Sequence, residues 1–519
     1  MGDKIVNGAE ALLQTLVASG VDICFANPGT SEMQLVSAIG QTDEMRPVLC
    51  LFEGVVSGAA DGYARMADKP AATLLHLGSG FSNSLANMHN ARRAGSPVVN
   101  IVGDHASYHL QFDAPLTSDL PGIARWGSHW TEVANSPEEL SAGGARAVQA
   151  SLRGNGQIAT LIAPANHAWD AASEAAAALP RPEPLLVRED RIARIAQAIS
   201  SEKKTCLMLG GKALRQENLA KLGAVAEAHN VTLMCGTFPT RFQRGAGRAP
   251  VQRLPYFAEQ AAEALEPFEQ LILLGVAAPV SFFAYPEKES WLTPEHCELL
   301  TLAEPGEDAD TTVDGLVRAL GISKHAETVH QRKIHEVTDE SLNPLTIGQI
   351  MSNEMPEDAI VSDEGATCGL AMFLSTEQAP AHDWLTLTGG AIGQGLPVAL
   401  GAALACPDRK VIALQADGSA MYTIQSLWSM ARENADVTVI LLNNKSYAIL
   451  NIELARVGAG EPNAKTLSML DLSNPDMDFS SIATGLGIRA TQARSSSEFQ
   501  TQFTEAMNTP GPCLIEAIL

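Results

Sequence analysis

Asp417 and Asn444 lie 27 positions apart, and their types and setting could hold a hard metal ion. Each follows an apolar run. Val411 to Leu414 leads through Ala416 to Asp417-Gly418-Ser419, and Val437 to Leu442 leads to Asn443-Asn444-Lys445-Ser446-Tyr447. Such runs read as buried parallel strands. The segment between, Thr423 to Arg432, sets Ile424, Leu427, Trp428 and Ala431 on one helical face. Both polar residues therefore sit just past the carboxyl ends of strands, where open α/β sheets bind ligands. One carboxylate and one amide oxygen suit Mg²⁺, which takes few protein oxygens and completes its shell with water and substrate phosphates. Gly418 and Ser419 open a helix whose first N–H groups can receive a pyrophosphate. A lone Asp-Gly-Ser is an ordinary capping turn. The asparagine pair at this distance, with strands on both sides, is what makes a site.

Other chemistry-bearing residues also follow strands. Val21 to Ala26 ends in Asn27-Pro28-Gly29-Thr30-Ser31-Glu32, a turn that opens a helix. The run Val48 to Phe52 ends at Glu53, which opens a helix of small residues, Gly54 to Arg65, suited to close packing. Thr73 to Leu77 carries His76, and Asn83 to Ala91 follows as a helix. Pro97 to Gly103 precedes the polar run Asp104 to His109, either a channel lining or a solvated loop. Each of these residues has an ordinary structural use, so position alone does not assign a role.

The elements that must position them fall into three α/β units. Residues 1–178 hold the strands above and close with Ala159 to Ala163. Leu179-Pro180-Arg181-Pro182-Glu183-Pro184 is a stiff extended linker. Residues 185–322 hold strands at Thr205 to Leu209, Val231 to Met234 and Gln270 to Leu274, with a Gly210-Gly211 turn that is not a nucleotide fingerprint. Gly321 to Asn343 is a polar second linker. Residues 344–519 hold strands at Ala359 to Ser362, Trp384 to Leu387, the opening pair and Cys513 to Ala517. The fold class expected is α/β, with three doubly wound parallel sheets.

Bulk properties narrow the function. A chain of 519 residues exceeds one ordinary domain. Its net charge of −24 argues against nucleic acid and anionic membranes as partners. Eight cysteines without metal-like spacing read as reduced, buried thiols in a cytoplasmic protein. Met1 to Asn7 shows no signal-peptide pattern, and no apolar run is long enough for a membrane span.

Asp417-Gly418 with Asn443-Asn444 resembles the thiamine diphosphate signature, with Ala416 in place of its first glycine. Glu53 to Arg65, ending Gly-Tyr-Ala-Arg, resembles the glutamate motif of the same enzymes. The whole chain resembles their acetolactate synthase and benzoylformate decarboxylase branch, which has pyrimidine-binding, middle and pyrophosphate-binding domains in that order. The resemblance implies thiamine diphosphate and Mg²⁺ as cofactors. Glu53 becomes the cofactor-activating acid, and Asp417, Asn444 and the Ser446 carbonyl become the metal ligands. Gly418, Ser419, Tyr447, Gly365 and Ala366 surround the diphosphate. Gly390 accepts from the aminopyrimidine, and Ile392 holds the cofactor bent.

Thr30 and His76 stand where benzoylformate decarboxylase has a serine and a histidine that contact substrate and relay protons. That family's second histidine would fall near Ala284 and is missing. The synthases' arginine-aspartate motif for FAD is absent, and Ser128 stands where they tend to have lysine. FAD is thus not expected. The implied activity is a 2-oxo acid decarboxylase or carboligase working through an ylid and an enamine. The alternatives are a synthase-type carboligase joining two 2-oxo acids, or a catalytically silent homologue. A homodimer or homotetramer is expected, because one cofactor must touch both Glu53 and Asp417.

Overall fold

The computed structural model describes residues 6–323, 326–458 and 460–519. Met1 to Ile5, from the N-terminal stretch without a signal pattern, and Lys324 and His325, in the expected second linker, lie outside them. The first unit has six strands, β1 (Ile23–Asn27), β2 (Arg46–Leu49), β3 (Ala71–His76), β4 (Val98–Asp104), β5 (Trp130–Val133) and β6 (Ile158–Pro164). All pair in parallel, in the order β2-β1-β3-β4-β6-β5. Alternate residues enter two cores. Phe25, Leu75, Val102 and Ile162 face one, and Cys24, Leu74, Ile101 and Leu161 face the other. Burial on both faces is why these strands read as continuous apolar runs.

The next strands are β7 (Thr205–Leu209), β8 (Thr232–Cys235), β9 (Phe242–Arg244), β10 (Gln252–Arg253), β11 (Gln270–Leu274) and β12 (Glu298–Ala303). Five of them form a parallel sheet, β10-β8-β7-β11-β12. Then come β13 (Ala359–Glu364), β14 (His382–Thr386), β15 (Val411–Ala416), β16 (Val437–Asn443), β17 (Arg489–Ala493) and β18 (Cys513–Ile518). The third sheet runs β17-β18-β16-β15-β13-β14-β9. Its last member was expected in the middle unit, yet β9 pairs antiparallel with β14. Arg244 fixes it there. The guanidinium stacks 3.7 Å from the Phe373 ring centroid and donates to the Phe373 carbonyl and Thr376.

Two other expectations shift. The strand before Glu53 ends at Leu49, so Cys50, Leu51 and Phe52 intervene. The bend at Leu51 and Phe52 ends the pairing after four residues, and Pro47 is tolerated within it because β2 is the sheet's edge strand. The helix expected over Thr423 to Arg432 is Ser426–Glu433, and its fully buried face is Ser426, Leu427, Ser429 and Met430, with Trp428 only half-buried. The serines allow close approach, and Ser429 Oγ donates to the Leu49 carbonyl at 3.0 Å.

The first and third units of one chain share a core. Helix Glu53–Ala67 lies against helix Gly395–Ala405, with Val56, Ala60, Val398 and Leu400 in one cluster. A methyl group at Gly401 would overlap the Ala59 carbonyl oxygen, so only glycine admits this approach.

Candidate active site

In each end sheet neighbouring strands send their connections in opposite directions, at β1 and β3 in the first and at β13 and β15 in the third. A crevice opens outside the strand ends at such points. The first collects Asn27, Thr30, Ser31, Glu32 and His76. The second collects Glu364, Gly365, Ala366, Asp417, Gly418 and Ser419. Strand order, which no local pattern reveals, thus gathers one group of candidate residues at each crevice.

At the crevice of the third unit Asp417 is only 2% exposed. Its Oδ1 accepts from the Gly418 amide at 2.7 Å and its Oδ2 from the Lys445 amide at 2.6 Å. Burial raises its pKa against these bonds. Asn444 Oδ1 accepts from the Ser446 amide at 3.1 Å. Lys445, between them, has φ +58 and Ala366 has φ +47. Left-handed non-glycine residues cost roughly 1–3 kcal/mol each and mark built turns. The Tyr447 ring packs over the backbone of Gly418. Ser419 Oγ is held by Gln415 Nε2 at 2.6 Å. Among the described residues no three His, Cys, Asp or Glu side chains converge on one point. The Asp417 carboxylate, the Asn444 amide oxygen and the Ser446 carbonyl are hard oxygen donors, of the kind that would fit Mg²⁺.

Glu53 is 7% exposed, and its oxygens accept from Asn27 Nδ2 at 3.1 Å and Asn83 Nδ2 at 3.0 Å. No cation pairs with it among the described residues, so the carboxylate is positioned by neutral amides alone. Gly80 packs between Glu53 and His76. His76 Nδ1 lies 2.8 Å from Glu32 Oε2 and 3.2 Å from Ser31 Oγ. Thr30 is exposed and Ser31 takes the place beside the histidine. Glu32 itself is fully buried and caps the turn through the Gly29 amide. Nearby, burial raises the Asp104 carboxyl pKa.

The turn carrying Gly390 and Ile392 is held from the first unit. Asn90 Nδ2 donates to the Ala391 carbonyl at 2.7 Å and Asn90 Oδ1 accepts from the Ala391 amide at 3.1 Å. Asn87 Nδ2 bridges the carbonyls of Gly54 and Gly393, and Arg65 donates to Thr386 and Thr388. From its own unit Glu364 accepts from the Gly393 and Gly395 amides at 2.5 and 2.6 Å. Burial lifts its pKa to about 7. The Phe282 ring, from the middle unit, packs on Gly390 beside the exposed Ala284. Ser128 is buried and bonded to Thr160 at 2.6 Å.

Asn27, Asn83, Asn87, Asn90, Glu32 and Glu364 were missed as site residues. One signal existed. Asparagines at 83, 87 and 90 share a helical face, where a residue of poor helix propensity needs another reason to recur.

Two family descriptions match the chain, "Thiamine pyrophosphate enzyme, N-terminal TPP binding domain" over residues 6–126 and its C-terminal counterpart over residues 365–517. A Mycobacterium tuberculosis protein named "Putative acetolactate synthase large subunit IlvX" is 47% identical over 523 residues, 99% of each chain. The chain belongs to the thiamine diphosphate-dependent enzymes of the acetolactate synthase and benzoylformate decarboxylase family. Benzoylformate decarboxylase of Pseudomonas aeruginosa is 28% identical over 543 residues, 98% of this chain and 97% of its own. In fold, the chain matches the solved thiamine diphosphate-dependent 4-hydroxybenzoylformate decarboxylase of Rhodococcus jostii with a TM-score of 0.86 at 23% identity, over 99% of both chains. No helix among the described residues is long and apolar enough to cross a membrane.

Proposed function

We propose that the protein is a thiamine diphosphate- and Mg²⁺-dependent 2-oxo acid decarboxylase, with carboligation as the other outcome of the same site. The observation that carries this reading is Glu53, a buried carboxylate held by two amides and facing no cation among the described residues. A carboxyl group so placed would hydrogen-bond a ring nitrogen of a bound cofactor. Asp417, Asn444 and the Ser446 carbonyl would hold Mg²⁺, and the amides of Gly418 and Ser419 would receive the diphosphate. Gly365 and Ala366 line the opposite strand end, and Gly390 and Ile392 would seat the pyrimidine side. When bound, thiamine diphosphate supplies an acidic carbon and a cationic ring that takes up the electron pair released with CO₂.

His76 supports protonation over carboligation. With Glu32 Oε2 2.8 Å from Nδ1, a carboxylate there would accept the Nδ1 proton and leave Nε2 as the working nitrogen. Ser31 orients the same edge of the ring. Apolar side chains flank both halves of the site and are exposed, Leu51 beside Glu53 and Met421 and Tyr422 beyond Asp417. That supports a homodimer or homotetramer in which a second copy covers them.

Glu53→Gln tests the reading. CO₂ release from a panel of 2-oxo acids should vanish while the melting temperature stays unchanged. A variant that kept the full rate would remove Glu53 from the mechanism.

A further inference from the structure

The last strand, β18, carries a carboxyl group inside the third sheet that no step of the proposed reaction uses. Glu516 is 1% exposed. Its strand lies between β16 and β17, and its neighbours there are Leu441 and Gln492. Leu514, two residues earlier on the same face, belongs to the core shared by the first and third units. Positions in a sheet buried on both faces are ordinarily apolar. A polar group held at one must be bonded.

The bonds to Glu516 divide between its two oxygens. Oε2 accepts from the Ser480 amide at 3.1 Å, from Ser480 Oγ at 2.6 Å and from Gln492 Nε2 at 3.0 Å. It thereby ties helix Phe479–Gly485 and β17 to the sheet. Oε1 accepts from Asn443 Nδ2 at 2.7 Å. Asn443 ends β16 and directly precedes Asn444. Its carbonyl accepts from the Leu519 amide at 2.9 Å, so β18 and the residue after it grip the root of the turn through both backbone and side chain. Past this root the chain leaves the sheet. Lys445 turns left-handed and donates its amide to Asp417, and the Ser446 amide donates to Asn444 Oδ1.

We propose that Glu516 is a positioning residue for the divalent ion. Through Asn443 it fixes the turn that presents the Asn444 side-chain oxygen and the Ser446 carbonyl. The proposal rests on the catalytic reading, which assigns Mg²⁺ to these oxygens and Asp417. Groups that orient a metal ligand without touching the metal set its affinity. Mg²⁺ demands near-ideal octahedral geometry at short distances, so a turn free to shift at its root should hold it poorly.

Mg²⁺ is titrated by calorimetry into the full-length protein with thiamine diphosphate in excess. Hydrogen exchange of the Asn444, Lys445 and Ser446 amides is followed separately, with neither ligand present. Glu516→Ala should raise the Kd for Mg²⁺ by about 10- to 100-fold and speed exchange of the three amides. Asn443→Ala cuts the same link while leaving Glu516 its bonds to Ser480 and Gln492. It should raise the Kd over the same range, even if Glu516→Ala fails to fold. Glu516→Gln can still pair with Asn443, because two amides bond in either orientation, so its Kd should stay within about three-fold of the parent. Ser480→Ala loses a bond on the far side of the carboxyl group, and it should lower the melting temperature while leaving Kd and exchange unchanged. Unchanged Kd or exchange in Asn443→Ala overturns the proposal. So does a Kd raised as much by Ser480→Ala as by Asn443→Ala, which would make Glu516 a contributor to stability alone. A Kd raised as far by Glu516→Gln as by Asn443→Ala would trace the effect to charge and overturn positioning. If the parent binds no Mg²⁺ alongside thiamine diphosphate, the catalytic reading falls and the metal half of the proposal with it. The exchange comparison then still decides whether Glu516 fixes the turn.

Discussion

Asn90→Ala should loosen the turn that carries Gly390 and Ile392 without unfolding the chain. The side chain is fully buried and makes three bonds, two to the Ala391 peptide groups and one to Asn87 Oδ1 at 2.9 Å. Ala391 is half-buried, so water can reach its freed groups, and each lost bond there costs about 1 kcal/mol. Asn87 is only 3% exposed, so its unpaired oxygen costs about 1–3 kcal/mol. The total is about 3–5 kcal/mol. Asn87 still holds Gly393 and Arg65 still holds Thr388, so some of the order survives. If binding must restore that order, the apparent Kd for thiamine diphosphate rises by about 10- to 100-fold. Tryptophan fluorescence on cofactor titration reads the Kd. Hydrogen exchange of the Ala391 amide reads the turn itself, with no assumption about the ligand. Asn90→Asp keeps the acceptor for that amide, so it should protect the amide better than alanine does. Unchanged exchange and a Kd within about two-fold of the parent would show that Glu364, Asn87 and Arg65 fix the turn without Asn90, and the reasoning would fail.

Gly401→Ala places a methyl group against the Ala59 carbonyl and must push the paired helices away from each other, at a cost of about 1–3 kcal/mol or more; a drop in melting temperature by calorimetry checks it. Asp417→Asn should raise the Mg²⁺ concentration needed to retain cofactor by about 100-fold, read by equilibrium dialysis, because one of the two charged oxygens becomes a donor. Glu364 has a folded pKa of about 7 against an ordinary 4.5. Its contribution to stability is therefore full below pH 4.5 and lost as pH rises through 7. Denaturant titrations of Glu364→Gln should show a flatter slope across that window than the parent, and an unchanged slope would assign the pH dependence elsewhere.

Much of this molecule is legible from local chemistry. The runs Thr205 to Leu209 and Gln270 to Leu274 are strands as read, because burial on both faces leaves an unbroken apolar record. The Asp417 and Asn444 turns, the small-residue helix after Glu53 and His76 all stand at strand ends or helix starts as the spacing requires. Tertiary structure alone decided the rest. Strand order set which ends share a crevice, and so placed Ser31 and Glu32 on His76 while leaving Thr30 in solvent. It moved Phe242–Arg244 out of the middle sheet. It also gave Glu53 to Asn27 and Asn83, and the Gly390 turn to Asn87 and Asn90. The physical reason is range. Periodicity and capping act within a few residues, so the chain records them directly. Partners separated by hundreds of positions, as Asn90 and Ala391 are, meet only after three sheets have packed, and no local residue pattern encodes that meeting.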